Sequence, residues 1–317
     1  MIISFAIPCY RSEKTIVPVV SEIIEIMTEK EEYDYEIILA NDHSPDNVFN
    51  VIRSLASSNK RIKAIDLSHN MGQHGALMAA YSVCKGDIIV SMDDDGQSPI
   101  NCLSELLDPI INGNADVSIA NYGQHKKESA FRNFGSWVND KMTAFMLDKP
   151  ETLKLSSFFA MKKFVKDEVI RYNGPYPYVA GLVLRSTQNV VNVHLSDRER
   201  LEGRSGYTIR KLLHLFFNGF TSFSIKPLRF ATILGTIIAI LSFISLIAIL
   251  INKLIHPDTA IGWSSIISVL LLIGGLIMLM LGILGEYIGR IYICINNSPQ
   301  YVIRERINVD GDREKED

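Results

Sequence analysis

The chain has 317 residues, 47% of them apolar, and a formal net charge of -3 from 32 Lys plus Arg against 35 Asp plus Glu. That balance excludes the strongly basic face of a typical nucleic-acid binder, and the length suits one large domain or two smaller ones. The four cysteines (Cys9, Cys84, Cys102, Cys294) show neither metal-site spacing nor short-range pairing and read as thiols of a reducing compartment. Met1 leads straight into a strand-like run, without the basic start of a signal peptide.

Residues 2–7 read as a first strand, ended by a rigid turn at Pro8-Cys9-Tyr10. Helical periodicity covers 13–29 through Ile16, Val20, Ile23, Ile24 and Met27. A second strand over 35–40 leads into Asn41-Asp42-His43-Ser44, and Ser44 ahead of Pro45 signals the start of a helix that runs to about 58. A third strand over 62–67 precedes His69-Asn70-Met71-Gly72 and a helix from about 73 to 84, closed by Lys85-Gly86. The buried run Ile88-Ile89-Val90 is the fourth strand. It delivers Ser91-Met92-Asp93-Asp94-Asp95-Gly96-Gln97-Ser98-Pro99, with Pro99 suited to a first helical position. Further strands are expected at 117–121 and 155–161, and a helix from Arg132 to about 147.

This alternation predicts a parallel sheet with right-handed crossovers. Pro8, Asp42, Asp66 and Asp93 to Asp95 then fall at strand C-termini on one edge, where open α/β sheets bind ligands. Three neighbouring carboxylates repel one another unless a cation sits among them. Hard oxygen ligands suit Mg²⁺ or Mn²⁺, which leave positions open for substrate phosphates. The alternative is an acidic, solvated loop that caps the next helix. No Gly-x-Gly-x-x-Gly or Walker motif is present, which argues against a dinucleotide enzyme or a P-loop NTPase. The Arg-rich stretch 198–207 reads either as a phosphate clamp of guanidinium forks or as a solvated connector.

From residue 230 the character changes. Residues 230–251 and 260–285 carry no charge, and each is long enough to cross a hydrocarbon core. With the short link 252–259 they predict a two-helix hairpin. The amphipathic stretch 208–223 ahead of it suits a helix lying in the bilayer interface, with a packed core helix as the alternative. Arg210, Lys211, Lys226 and Arg229 precede the first span, Arg290, Arg304 and Arg306 follow the second, and the link carries only Lys253. Both termini are therefore expected on the cytoplasmic side of a multi-pass protein of the cytoplasmic membrane. The absence of charge inside either span opposes an ion-conducting hairpin. The expected organisation is a cytosolic domain over 1–208, a juxtamembrane helix over 209–229, two spans of about 230–251 and 261–285 within 230–288, and a cytosolic tail over 289–317.

The motifs Ile7-Pro8-Cys9-Tyr10, Ala40-Asn41-Asp42-His43-Ser44, Asn70-Met71-Gly72-Gln73-His74-Gly75-Ala76 and Asp93-Asp94-Asp95-Gly96-Gln97 combine with a C-terminal run, Leu281-Gly282-Ile283-Leu284-Gly285-Glu286-Tyr287-Ile288-Gly289-Arg290-Ile291-Tyr292. Together they resemble the family 2 polyprenyl-phosphate glycosyltransferases. These are relatives of dolichol-phosphate mannose synthase and of the bacterial undecaprenyl-phosphate glucosyl and aminoarabinose transferases. The likeness covers roughly residues 1–100 and the membrane part, and is weaker between.

The resemblance implies a GT-A fold, that is, an α/β domain with a Rossmann-like, mostly parallel sheet. It also implies an inverting, metal-dependent transfer of a sugar from a nucleotide-sugar donor, by similarity a UDP-sugar, to undecaprenyl phosphate. The product would serve cell-envelope glycan or lipid modification, and the protein would be a homo-oligomer. By position, Pro8, Tyr10, Glu13 and Asp42 would hold the nucleotide, and Asp93 and Asp94 would line the donor site. Asp95 and Gln97, with Asp93, would hold Mg²⁺ or Mn²⁺. Arg132, Arg200 and Arg204, with Ser205, would hold donor or acceptor phosphates.

Three departures stand out. Ser12 occupies a place where the family often has Glu, and Glu13 follows it. Asn41 replaces the first of a frequent Asp pair. Ser156-Ser157-Phe158-Phe159 replaces a Gly-Asp-Phe-Arg motif, which implies a changed sugar pocket. The other readings are a same-fold transferase with another lipid or glycan acceptor or a GDP-mannose donor, and a non-catalytic membrane scaffold. The intact Asp93-x-Asp95-x-Gln97 opposes the scaffold.

Overall fold

The structure is a computed structural model that describes residues 1–123, 149–150, 152–174, 177–196, part of 233–255, 262–295 and 299–309. The chain divides into two compact units, 1–208 with 297–317, and 209–296.

The first unit is built on an eight-stranded sheet of order β7-β5-β6-β4-β1-β2-β3-β8. In chain order the strands are β1 (Ile2–Cys9), β2 (Asp34–Asn41), β3 (Ile62–Leu67), β4 (Ile88–Ser91), β5 (Val117–Asn121), β6 (Phe159–Lys162), β7 (Val190–His194) and β8 (Ile303–Ile307). The helices are α1 (Ile16–Glu29), α2 (Val48–Ser58), α3 (Gly72–Val83), α4 (Leu103–Ile111), α5 (Lys163–Ile170), α6 (Val179–Ser186) and, in the second unit, α7 (Trp263–Ile295). β1 to β4 pair in parallel, as the alternation requires. Antiparallel pairing enters only through β6, set between β4 and β5, and through β8 on the edge of β3. The expected Rossmann-like, mostly parallel sheet of a GT-A domain is thus present.

Strands covered on both faces read as continuous apolar runs, and β1 is buried from Ile3 to Cys9. Ile3, Phe5 and Ile7 point to a core shared with Ile16, Val20 and Ile23 of α1 and Leu103, Leu106 and Ile110 of α4. The opposite face meets α3, whose residues Gly75 to Tyr81 are all buried. A helix apolar all round is a buried helix. β1 and β2 align Cys9 with Asn41, β2 and β3 align Asn41 with Asp66, and β1 and β4 align Ala6 with Ser91. Parallel register thus brings the C-terminal ends of these four strands to one edge.

Several boundaries differ from those the sequence suggests. Pro8 lies inside β1, buried, rather than in a turn after it. α1 starts at Ile16 because a turn intervenes, in which the Thr15 and Ile16 amides both donate to the Ser12 carbonyl. α2 starts at Val48, and Ser44 is not its cap: its hydroxyl accepts from the Arg11 amide and donates to Asp46. Pro99 stands before a 3-10 turn, Ile100–Cys102, that leads into α4. The strand expected over 155–161 shrinks to Phe159–Lys162, the residues that find partners on β4 and β5.

β7 and β8 have no clear signature in the sequence. β8 changes the meaning of the tail, because residues after α7 return to the sheet rather than trailing from it. Residues 310–317, the charged end of the tail, lie outside the described residues.

In the second unit α7 spans 33 residues, longer than the expected 261–285. At 1.5 Å per residue it is about 50 Å long, against a hydrocarbon core of about 30 Å. Its segment Leu272–Gly289 has mean hydropathy 1.9 and no buried part, and it is the one span candidate among the described residues. Leu270, Leu272, Met278 and Leu281 are exposed, as lipid-facing side chains would be. Between 233 and 255 the described residues are helical, and Gly235 and Ile238 line one cavity with Ile273, Ile277, Met280 and Leu284. The juxtamembrane helix expected over 209–229 lies outside the described residues.

Candidate active site

The carboxylate loop leaves β4 at Ser91, and every one of its first three acidic side chains is held differently. One Asp93 oxygen accepts from the Gln73 side-chain amide of α3 at 2.6 Å, and the other accepts from the Ser157 hydroxyl at 2.6 Å. Asp94 turns back toward β1 and accepts from the Tyr10 amide at 3.0 Å. Asp95 accepts from the Gln97 amide at 3.0 Å, which folds the loop on itself. Gly96 between them has φ +76°, a backbone state that favours glycine. Burial pushes the Asp94 carboxyl up to about 6, with the Asp93 charge adding to the rise. The hydrogen bond from the Tyr10 amide acts in the opposite direction.

The neighbouring strand ends complete the edge. The Tyr10 ring is 44% exposed just past β1, and the Arg11 guanidinium lies 5.4 Å from its centroid. An exposed aromatic face beside a cation suits stacking with a planar base. Arg11 itself has φ +58° and is fastened through its amide to Ser44. Glu13 is engaged with the segment that leads into α2. It ties the β1–α1 loop to the start of α2, its amide donating to Asp46 and its carboxylate accepting from the Asn47 amide.

Asp42, just past β2, is buried, and its side chain accepts from the Met71 amide at 2.7 Å. Met71 supplies no side-chain cap to α3, so Asp42 serves that helix start from a distant strand. Burial raises the Asp42 carboxyl, while the Met71 and Gly72 amides lower it.

Asp42, Tyr10 and the loop from Asp93 to Gln97 thus share one edge, with Pro8 buried in β1 beneath them. Arg132, Arg200, Arg204 and Ser205 lie outside the described residues. Nothing local in the sequence marks Gln73 or Ser157 as a site residue. Gln73 lies in the Asn70–Ala76 motif, and Ser157 in the stretch that departs from the family pattern. Only their convergence on Asp93 marks them. The side-chain oxygens of Asp93, Asp95 and Gln97 are hard donors of the type that suits Mg²⁺ or Mn²⁺. Among the described residues no three His, Cys, Asp or Glu side chains form a ready-made cage. A Mg²⁺-like cation needs only one or two carboxylates when a diphosphate supplies other ligands, so the loop fits that mode.

Comparison with known proteins now adds to the geometry. Residues 4–170 match the family model of glycosyl transferase family 2, and residues 226–291 match that of the GtrB C-terminal hairpin. The chain belongs to glycosyl transferase family 2. It is 31% identical to the uncharacterized glycosyltransferase YkcC of Bacillus subtilis, over 98% of this chain and 95% of that one. It is 29% identical to the bactoprenol glucosyl transferase of Shigella phage SfII, over 96% and 98%. It is 26% identical to the undecaprenyl-phosphate 4-deoxy-4-formamido-L-arabinose transferase of Proteus mirabilis, over 97% and 94%. As a family 2 member the chain is a glycosyltransferase, which sets aside the scaffold reading.

Proposed function

We propose that this glycosyltransferase moves a sugar from a UDP-sugar to a polyprenyl phosphate, with inversion, at the cytoplasmic face of the membrane. The observation that carries the reading is the sheet edge itself, where the Asp93–Gln97 loop stands beside the exposed Tyr10 ring and the β2 end that bears Asp42. End-to-end similarity to relatives named for bactoprenol and undecaprenyl phosphate supports the acceptor. So does the match to a C-terminal hairpin model.

On this reading Tyr10 and Asp42 hold the nucleoside. Asp93, fixed by Gln73 and Ser157, lines the sugar pocket, and Asp94 sets the loop against β1. A divalent cation would be held by Asp95 and Gln97 with Asp93, and when bound it neutralises charge on the departing nucleoside diphosphate. The acceptor is a phosphate oxygen, already anionic at neutral pH, so it needs positioning more than a general base. Arg132, Arg200, Arg204 and Ser205 are assigned to that task. A hairpin with both termini cytoplasmic keeps the site at the membrane surface, where the lipid phosphate meets a soluble donor.

The test is a transfer assay in detergent with purified protein, undecaprenyl phosphate, Mg²⁺ or Mn²⁺, and a panel of UDP- and GDP-sugars. One lipid-linked sugar formed from a UDP donor, and only with metal, is the expected result. Product from GDP-mannose alone overturns the UDP assignment. Product without metal removes the cation from the reaction.

A further inference from the structure

β8 reaches the donor edge through an irregularity. Its register with β3 runs Ala64 against Ile307, Ile65 against Arg306 and Asp66 against Glu305, then passes to Leu67 against Ile303. Arg304 is the extra residue of a β-bulge. Such bulges re-aim a side chain, often beside a functional site. Here one guanidinium nitrogen of Arg304 donates to the Ser68 carbonyl at 2.8 Å and lies 3.3 Å from His43 Nδ1. The other lies 3.4 Å from an oxygen of buried Asp66. Asp66 accepts on its other oxygen from the Asn41 side-chain amide at 2.7 Å, and Asn41 accepts from the Ser44 amide at 3.2 Å.

The guanidinium fork thus joins the ends of β2 and β3, and of the residues flanking Asp42 it meets His43 directly and Asn41 through Asp66. One of them, His43, has φ +48°, a strained state that persists only where its surroundings hold it. A buried carboxylate such as Asp66 is tolerated when a cation pairs with it. Two further residues of this segment make ties of a different kind. Glu305 pairs with Arg53 of α2, and Asn308 donates to the carbonyls of Ala56 and Ile62. These anchor the strand without touching residues 41–44.

We propose that Arg304 is a positioning residue for the donor nucleotide, fixing through Asp66, Asn41 and His43 the loop that presents Asp42. This rests on the reading of Asp42 as a nucleotide-holding residue. The consequence is that donor affinity is set in part by the chain segment beyond the last membrane helix.

The experiment measures UDP binding by calorimetry, and donor KM and kcat, on the full-length protein in detergent. Arg304→Ala should weaken UDP binding and raise donor KM by about tenfold, the scale of one charge-assisted hydrogen bond, with kcat changed far less. Arg304→Lys should recover part of the loss. Arg53→Ala, which cuts the Arg53–Glu305 ion pair, should bind UDP like wild type. Wild-type UDP affinity in Arg304→Ala, alongside a loss in Asp42→Asn, overturns the role of Arg304 and leaves the nucleotide reading standing. UDP bound equally by wild type, Arg304→Ala and Asp42→Asn overturns both. A loss in Arg304→Ala that Lys does not recover, matched by an equal loss in Arg53→Ala and a lowered melting temperature, reduces Arg304 to a strand anchor.

Discussion

Asp93, Asp94 and Asp95 are consecutive, yet each has a different environment, and their substitutions should separate accordingly. Asp95→Asn keeps the shape of the loop but removes a charge from the proposed cation position. Its transfer rate should fall by about two orders of magnitude or more, with UDP binding in the absence of metal unchanged. Near-normal turnover in that variant would exclude Asp95 from the metal site. Asp94 and largely buried His74 titrate with opposite sign. Asp94 is raised to about 6 from 3.8, so the folded protein holds that proton more tightly than the unfolded chain. Its contribution to stability is full below pH 3.8 and lost as pH rises through 6. His74 lies edge-on to Tyr178, its Nδ1 without a hydrogen-bond partner among the described residues, and burial lowers it to about 4 from 6.5. Its contribution is full above pH 6.5 and lost as pH falls through 4. Melting of the nucleotide-free protein between pH 4 and 7 should therefore lose less stability on acidification in His74→Phe than in wild type, and more in Asp94→Asn. Parallel curves for all three proteins would contradict both assignments.

At the scale of elements, the end of the sheet away from the site is locked by a polar knot. Glu36 of β2 accepts from Lys63 of β3 at 2.5 Å, from the Ser4 hydroxyl of β1 at 2.5 Å and from the Lys85 amide at 2.6 Å. Gly86, at the entry to β4, donates to Ser4, and a Cβ there would stand 2.5 Å from the Ser4 hydroxyl and 2.8 Å from the Ile2 carbonyl. Gly86→Ala should destabilise the protein by about 1–3 kcal/mol through overpacking against backbone. A melting temperature equal to wild type would show that β4 can shift without cost. The sequence marks Gly86 only as a helix terminator. The need for glycine there comes from β1, more than eighty residues away in the chain. β8 teaches the same lesson at the other edge. Ile303, Glu305 and Ile307 show too short an alternation to declare a strand, and a partner on β3 turns them into one.

On the scale of the whole molecule, the chain carries a family 2 domain over 4–170 and a hairpin match over 226–291, and its sheet is closed by residues beyond both. Removing residues 299–317 should therefore damage the first unit as well as trim a tail. The expected result is a lowered melting temperature and loss of UDP binding. UDP affinity unchanged by that truncation would mean that β8 is dispensable to the donor edge.

The sequence alone determined the alternation of strands and helices over 1–121, the burial of β1 to β4, the acidic loop and the apolar runs, because each is written in local periodicity and composition. It also carried the motifs that mark the family. Tertiary structure alone decided which groups meet Asp93, that Asp42 serves the start of α3, and that β8 joins β3 with Arg304 turned toward Asp66. Those contacts join residues 20 to more than 230 positions apart. Local propensity has no term for such partners, which the register of the assembled sheet, parallel from β1 to β4 and antiparallel at β6 and β8, brings within hydrogen-bonding distance.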